Sequence, residues 1–206
     1  MPSGRIKYKL SHYTYIELPL LCLSLYSNQS IMDRVRVGFL GSPKVGKTSI
    51  IDQFLHHFFV DDTESTIDDY YEAQWNGVKL EMIDMSGWQL GTEARLRMQA
   101  IEQCNVLVLV FAVNDLDSLE TLQLYKKEDK KNLPFILVGN KMDLLCSIPP
   151  TKLRQMERLL GKVHYPLTAK HATNIDGLFD EIVRLGKQVD SSAEVIVDET
   201  KCCILL

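Results

Sequence analysis

Apolar residues fall along this chain in two rhythms. Val35-Arg36-Val37-Gly38-Phe39-Leu40 alternates as a buried strand does, and Ser49 to Leu55 then places Ile50, Ile51, Phe54 and Leu55 at the spacing of an amphipathic helix. Tyr71 to Trp75 and Val78 to Asp84 read as two further strands. Asn76-Gly77 between them is the strongest short hairpin signal a sequence offers, so an antiparallel pair is expected. Val106 to Val113 is apolar throughout, as in a strand covered on both faces, Phe135 to Gly139 is another such strand, and Val163 to Leu167 reads as a short strand. Helical stretches separate them at Thr92 to Gln103, Ser118 to Asp129 and Pro150 to Leu160. A last helix, Ile175 to Lys187, sets Ile175, Leu178, Phe179, Ile182 and Leu185 on one face. This alternation predicts an α/β fold: a doubly wound, mostly parallel six-stranded sheet with one antiparallel edge strand, helices on both faces and ligands at the carboxyl ends of the strands.

The folded unit spans 32–187. Residues 1–31 differ from it: Arg5, Lys7 and Lys9 precede a patchy apolar run, Ile16 to Tyr26, that Glu17 and Pro19 interrupt. That run falls short of the roughly 20 apolar residues a membrane span needs, and it reads as a poorly ordered extension, with Met32 an alternative start. Residues 188–206 turn polar and read as a flexible tail.

With 206 residues, 46% of them hydrophobic and 24% charged, the chain can bury one full core without disulfides or metals. The net charge of −4 leaves no basic stripe for a nucleic-acid duplex, so no nucleic-acid partner is expected. Five cysteines, an odd number without paired metal spacing, fit a reducing compartment, and Cys104 and Cys146 read as core or near-core residues. The scattered histidines offer no zinc centre.

Between the first strand and helix lies Gly41-Ser42-Pro43-Lys44-Val45-Gly46-Lys47-Thr48. This spacing turns successive backbone N–H groups around a phosphate at a helix N-terminus whose dipole favours an anion. Lys47 adds a point charge for the β- and γ-phosphates, and the Thr48 hydroxyl is placed to ligate Mg²⁺. Asp84, closing a strand in Asp84-Met85-Ser86-Gly87, is placed to hold the same ion. Asn140-Lys141-Met142-Asp143 selects the base: a carboxylate accepts two hydrogen bonds from N1–H and the exocyclic amino group of guanine, and adenine offers no such pair. Gly41, Asp84, Asn140 and Ala169 all fall at carboxyl ends of strands.

With these motifs and Thr66-Ile67-Asp68-Asp69-Tyr70 and Thr168-Ala169-Lys170 in order, the chain from Arg34 to Lys187 resembles the Ras superfamily of small GTPases, most closely its Ras and Rap branch. The resemblance implies the three-layer P-loop NTPase fold, GTP and GDP as ligands, Mg²⁺ as cofactor, and effectors, an exchange factor and an activating protein as partners. It implies that Gly41 to Ser49 wrap the phosphates and that Phe59 packs on the guanine ring. Thr66 would ligate Mg²⁺ and sense the γ-phosphate, and Gly87 would offer its N–H there. Asn140, Lys141 and Asp143 would hold the base, with Thr168 in the adjoining turn, Ala169 N–H reaching O6 and Lys170 covering the ring. Effectors would read Thr66 to Tyr70. Lys47, Thr66, Gly87 and the residue after Gly87 would serve hydrolysis.

That last residue departs from the pattern. The family's water-orienting Gln is here Trp88, whose indole has a donor and no carbonyl acceptor. Pro43 adds a ring where the family keeps a small residue, which should crowd an activating arginine. Slow hydrolysis is therefore expected, with a constitutively GTP-bound module as the alternative and a P-loop kinase or ATPase as a rival that Asp143 opposes. The hairpin at Asn76-Gly77 and the helix from Ser118 are each a few residues shorter than is usual in Ras.

The chain closes with Cys202-Cys203-Ile204-Leu205-Leu206, and a prenylation box ending in Leu favours geranylgeranyl on Cys203. One lipid anchors weakly, so palmitoylation of Cys202 is the candidate second signal, and the expected location is the cytoplasmic face of the plasma membrane.

Overall fold

The computed structural model describes residues 34–61, 69–85, 87 and 92–193. Its strands are β1 (Arg34–Leu40), β2 (Asp69–Trp75), β3 (Val78–Asp84), β4 (Val106–Ala112), β5 (Phe135–Asn140) and β6 (Tyr165–Pro166). Its helices are α1 (Lys47–His56), α2 (Thr92–Gln103), α3 (Leu116–Glu128), α4 (Pro150–Leu160) and α5 (Ile175–Ala193). The sheet runs β2-β3-β1-β4-β5-β6. Only β2 is antiparallel to its neighbour, and β3, β1, β4, β5 and β6 are parallel, as the strand-helix alternation requires.

The period of two in the strands divides the core in half. Val35, Val37 and Phe39 of β1, with Val106, Val108 and Val110 of β4, face α1 and α5. Leu107, Leu109 and Phe111 face the other way, toward Ile101 of α2, Leu122 and Tyr125 of α3 and Met156 of α4. Every residue of β4 and β5 is buried, which is what helices on both faces demand. On the α1–α5 side Phe54 stacks on Phe179 with ring centroids 3.5 Å apart, and Trp75 meets Phe54 edge-on at 5.2 Å. The hairpin tip has positive φ at both Asn76 and Gly77, the geometry its dipeptide announces.

Several boundaries move from the sequence reading. Helix α3 starts two residues earlier than Ser118, because the Asp115 side chain accepts from the Ser118 N–H and caps the turn. The last strand shrinks from Val163–Leu167 to Tyr165–Pro166. Helix α5 runs past Lys187 to Ala193, into the stretch read as tail, since nothing from Gln188 to Ala193 is a Gly or Pro that would stop it. Cys104 is buried as expected, but Cys146 is exposed, a correction: it lies in the irregular loop after β5, whose buried anchor is Ile148 instead.

Gly186 inside α5 lies so near β1 that a Cβ there would sit 2.3 Å from a Val35 methyl carbon. Alanine favours a helix over glycine by about 1 kcal/mol, whereas forcing a methyl into a filled core costs about 1–3 kcal/mol. Packing wins. Gly186→Ala is expected to lower the unfolding free energy in urea by about 1 kcal/mol, and a more stable variant would contradict this close approach.

Candidate functional site

Strand β1 delivers the chain to Gly41, and α1 leaves at Lys47. Gly46 is the N-cap, with φ of 95°, and no side chain caps the helix and no acidic residue sits in its first turn. The amides of that turn are thus left to an external anion. Both glycines are fixed by crowding: a Cβ on Gly46 would sit 2.3 Å from Asn140 Nδ2, and one on Gly41 would sit 2.2 Å from the Val110 carbonyl oxygen. Lys47 is buried, its Nζ donating to the Gly41 and Ser42 carbonyls at 3.0 and 3.1 Å. The Tyr125 hydroxyl donates to the same Gly41 carbonyl at 3.1 Å, tying α3 to the loop.

Behind the loop, the Thr48 hydroxyl donates to Asp84 Oδ2 at 2.5 Å. Asp84 is fully buried at the end of β3, and its Oδ1 has no hydrogen-bond partner among the described residues. Burial pushes its carboxyl up to about 6, against the opposing pull of the Thr48 hydroxyl and the Lys47 ammonium. An orphaned carboxylate oxygen beside a hydroxyl is a hard-oxygen donor pair short of a cation, and Mg²⁺ fits it. Gly87 packs on Pro43, where an added Cβ would come within 2.4 Å of the proline ring.

The other end of the site is a cleft of about 280 Å³ whose lining includes Gly46, Ser49, Phe59, Asn140, Asp143 and Ala169. Buried Asn140 joins its two sides: Nδ2 donates to the Val45 carbonyl at 2.8 Å, and Oδ1 accepts from the Ala169 N–H at 3.2 Å. The Thr168 hydroxyl donates to Asp143 Oδ1 at 2.5 Å. Burial alone would raise the Asp143 carboxyl; together Thr168, the residue's own N–H, His171 and Lys170 outweigh it and hold Asp143 below the usual carboxylate range. It stays an acceptor. Lys170 Nζ pairs with Asp61 Oδ1 at 3.1 Å and lies over the Phe59 ring, 5.8 Å from its centroid, and all three residues line the cleft. Lys44 and Lys141 complete the rim.

The motifs read from sequence therefore converge on one edge. Asp69 and Tyr70 of the expected effector segment are exposed at the start of the edge strand β2. Thr66, Ile67, Asp68, Trp88, Cys202 and Cys203 lie outside the described residues. Sequence reasoning missed Tyr125 and Asp61; helical period alone makes Tyr125 a core residue, and nothing local to Asp61 names its partner 109 positions away.

The sequence model of the Ras family matches residues 36–188, most of the chain. The chain belongs to the Ras family. A Ras-like small GTPase is thus the frame for this site, and guanine nucleotide with Mg²⁺ is the family's general ligand set. Among relatives, Ras-like protein 2 of Drosophila melanogaster is 27% identical over 192 residues, covering 84% of this chain and 99% of that protein. Ras-like protein rasW of Dictyostelium discoideum is 28% identical over 177 residues, covering 81% of this chain and 80% of that protein. Ras-related protein R-Ras of Homo sapiens is 28% identical over 156 residues, covering 70% of this chain and 71% of that protein.

Buried Asp84 makes this Ras-family fold sensitive to pH when no cation is present. The unfolded chain releases the Asp84 proton near 3.8 and the folded chain near 6. Below both values neither state is charged and no penalty exists. As pH rises between them the unfolded state ionises first, so stability falls, by up to about 3 kcal/mol at roughly 1.4 per unit, and stays lower above. Asp84→Asn is expected to raise the Tm of nucleotide-free protein in EDTA at pH 7.5 and to flatten that slope; an unchanged profile would refute the assignment.

Proposed function

We propose that this chain is a guanine-nucleotide switch: it binds GDP and GTP, hydrolyses the β–γ phosphoanhydride of GTP slowly with water, and recruits effectors in its GTP form. One observation carries the reading: Asn140 ties the uncapped helix N-terminus of the phosphate loop to the Asp143 and Ala169 base end within one cleft. In this reading the amides of Gly41 to Ser49 wrap the phosphates and Lys47 turns its ammonium onto them. Asp143 accepts from the guanine N1–H and amino group, Ala169 and Lys141 complete the base site, and Phe59 and Lys170 bound the ring. Thr48 and Asp84, with Thr66, would hold Mg²⁺, which neutralises charge on the β- and γ-phosphates. Loss of the γ-phosphate would release the segments around Thr66 and Gly87.

Two residues set the expected rate. Trp88 cannot accept a hydrogen bond from the attacking water as a Gln amide does, and the Pro43 ring already fills the space against Gly87. A constitutively GTP-bound binding module is the second reading these two residues favour. Effectors would read Thr66 to Tyr70, and an exchange factor and an activating protein would act on the same edge. Membrane attachment rests on Cys203, with Cys202 as the second lipid site, at the cytoplasmic face of the plasma membrane.

The purified chain is expected to carry GDP or GTP that excess GTP displaces and excess ATP does not, with single-turnover hydrolysis slower than that of a Gln-bearing Ras. An empty protein, indifferent to guanine nucleotides in Mg²⁺, would end this reading; fast hydrolysis would end only the part resting on Trp88. Cys203→Ser is expected to move the protein from the membrane to the soluble fraction of expressing cells. Persistent membrane association would count against the lipid.

A further inference from the structure

Lys44 holds a backbone conformation that suits glycine. Its φ is 62°, in the left-handed region where any residue with a Cβ is strained. Strain of this kind survives where the surroundings over-determine it, and it gathers at ligand sites. Here the surroundings do so on both sides: Pro43 is pressed against Gly87, and Gly46 against Asn140.

The side chain is as conspicuous as the backbone. Lys44 is exposed on the rim of the nucleotide cleft, and it has no hydrogen bond or ion pair among the described residues. Of the other lysines at this edge, Lys47 is held on the Gly41 and Ser42 carbonyls from inside the loop and Lys170 on Asp61, while Lys141, also at positive φ, follows Asn140 rather than standing in the phosphate loop. A strained position that carries a free ammonium beside a polyphosphate site has a use for that ammonium.

Resting on the guanine-nucleotide reading above, we propose that Lys44 is a second phosphate lysine. Its ammonium closes on the outer side of the phosphate chain, opposite Lys47, and slows nucleotide release. A charge-assisted hydrogen bond at this site corresponds to about a tenfold change in dissociation. Because Lys44 is exposed, salt screens the contact.

The test is release of a fluorescent GDP from the full-length protein in Mg²⁺, chased with unlabelled GDP. Lys44→Gln and Lys44→Gly are expected to release it about ten times faster, Lys44→Arg at close to the parent rate, and salt to speed the parent but not the Gln variant. Lys44→Gly also removes the backbone strain, so its nucleotide-free Tm is expected to rise by a few degrees, which separates faster release from a weakened fold. A Gln variant that releases GDP at the parent rate or more slowly overturns the proposal and leaves the guanine reading standing. A parent chain that holds no guanine nucleotide overturns both.

Discussion

Asn140 is buried at the end of β5 with both halves of its amide used, one on the Val45 carbonyl and one on the Ala169 N–H. The first contact reaches 95 residues back and the second 29 forward. The separation of the phosphate loop from the base loop is therefore fixed by one rigid, planar group. It also dictates what surrounds it, since the amide lies where a Cβ on residue 46 would go, and only glycine leaves room. A carboxylate in its place would lack the donor and leave the Val45 carbonyl unpaired, at a cost of about 1–3 kcal/mol. A site held at its working width before ligand arrives loses little entropy on binding.

The same edge concentrates the groups that the fold would otherwise avoid. Asp84, Asn140 and Thr168 are buried polar residues at or just beyond the carboxyl ends of strands, and buried Lys47 opens α1 beside them, while the two core clusters beneath are built of apolar side chains. The layers below supply the margin. Stacked Phe54 and Phe179 and the fully buried strands β4 and β5 hold the sheet rigid, so Asp84 can keep an unpaired oxygen and Lys44 a strained backbone.

The fold was legible in the sequence because its strands are set between amphipathic helices: Val35 to Leu40 alternates, and Val106 to Val113 is a short, valine-rich, continuously apolar run of strand length. The candidate site was legible wherever its motifs are local in sequence: the phosphate loop, the Asp that closes β3 and Asn140 to Asp143. What escaped was decided at a distance. Tyr125 looks like any core aromatic until α3 packs and its hydroxyl meets Gly41, and Asp61 looks like one more loop acid until Lys170 arrives beside it. Cys146 shows the converse error, an apolar residue type placed by composition in a loop whose only anchor is Ile148. Asn140, read as a base contact, joins the phosphate loop to the turn at Ala169 in the structure.

In the proposed reading, binding and hydrolysis make separate demands on this edge. Holding a nucleotide needs amides, a lysine and a carboxylate in fixed positions, and those belong to residues anchored by the sheet. Hydrolysis needs in addition a group that orients water and room for a partner's cation, both near Gly87. There the Pro43 ring lies against the glycine so closely that no side chain could replace its hydrogen, and a tryptophan follows. The two departures from the family pattern named for the site, Pro43 and Trp88, both fall where the proposed reading puts the γ-phosphate. On the proposed reading, a chain that keeps the binding half and alters the hydrolytic half would stay loaded, with its signal set by how fast nucleotide enters and leaves.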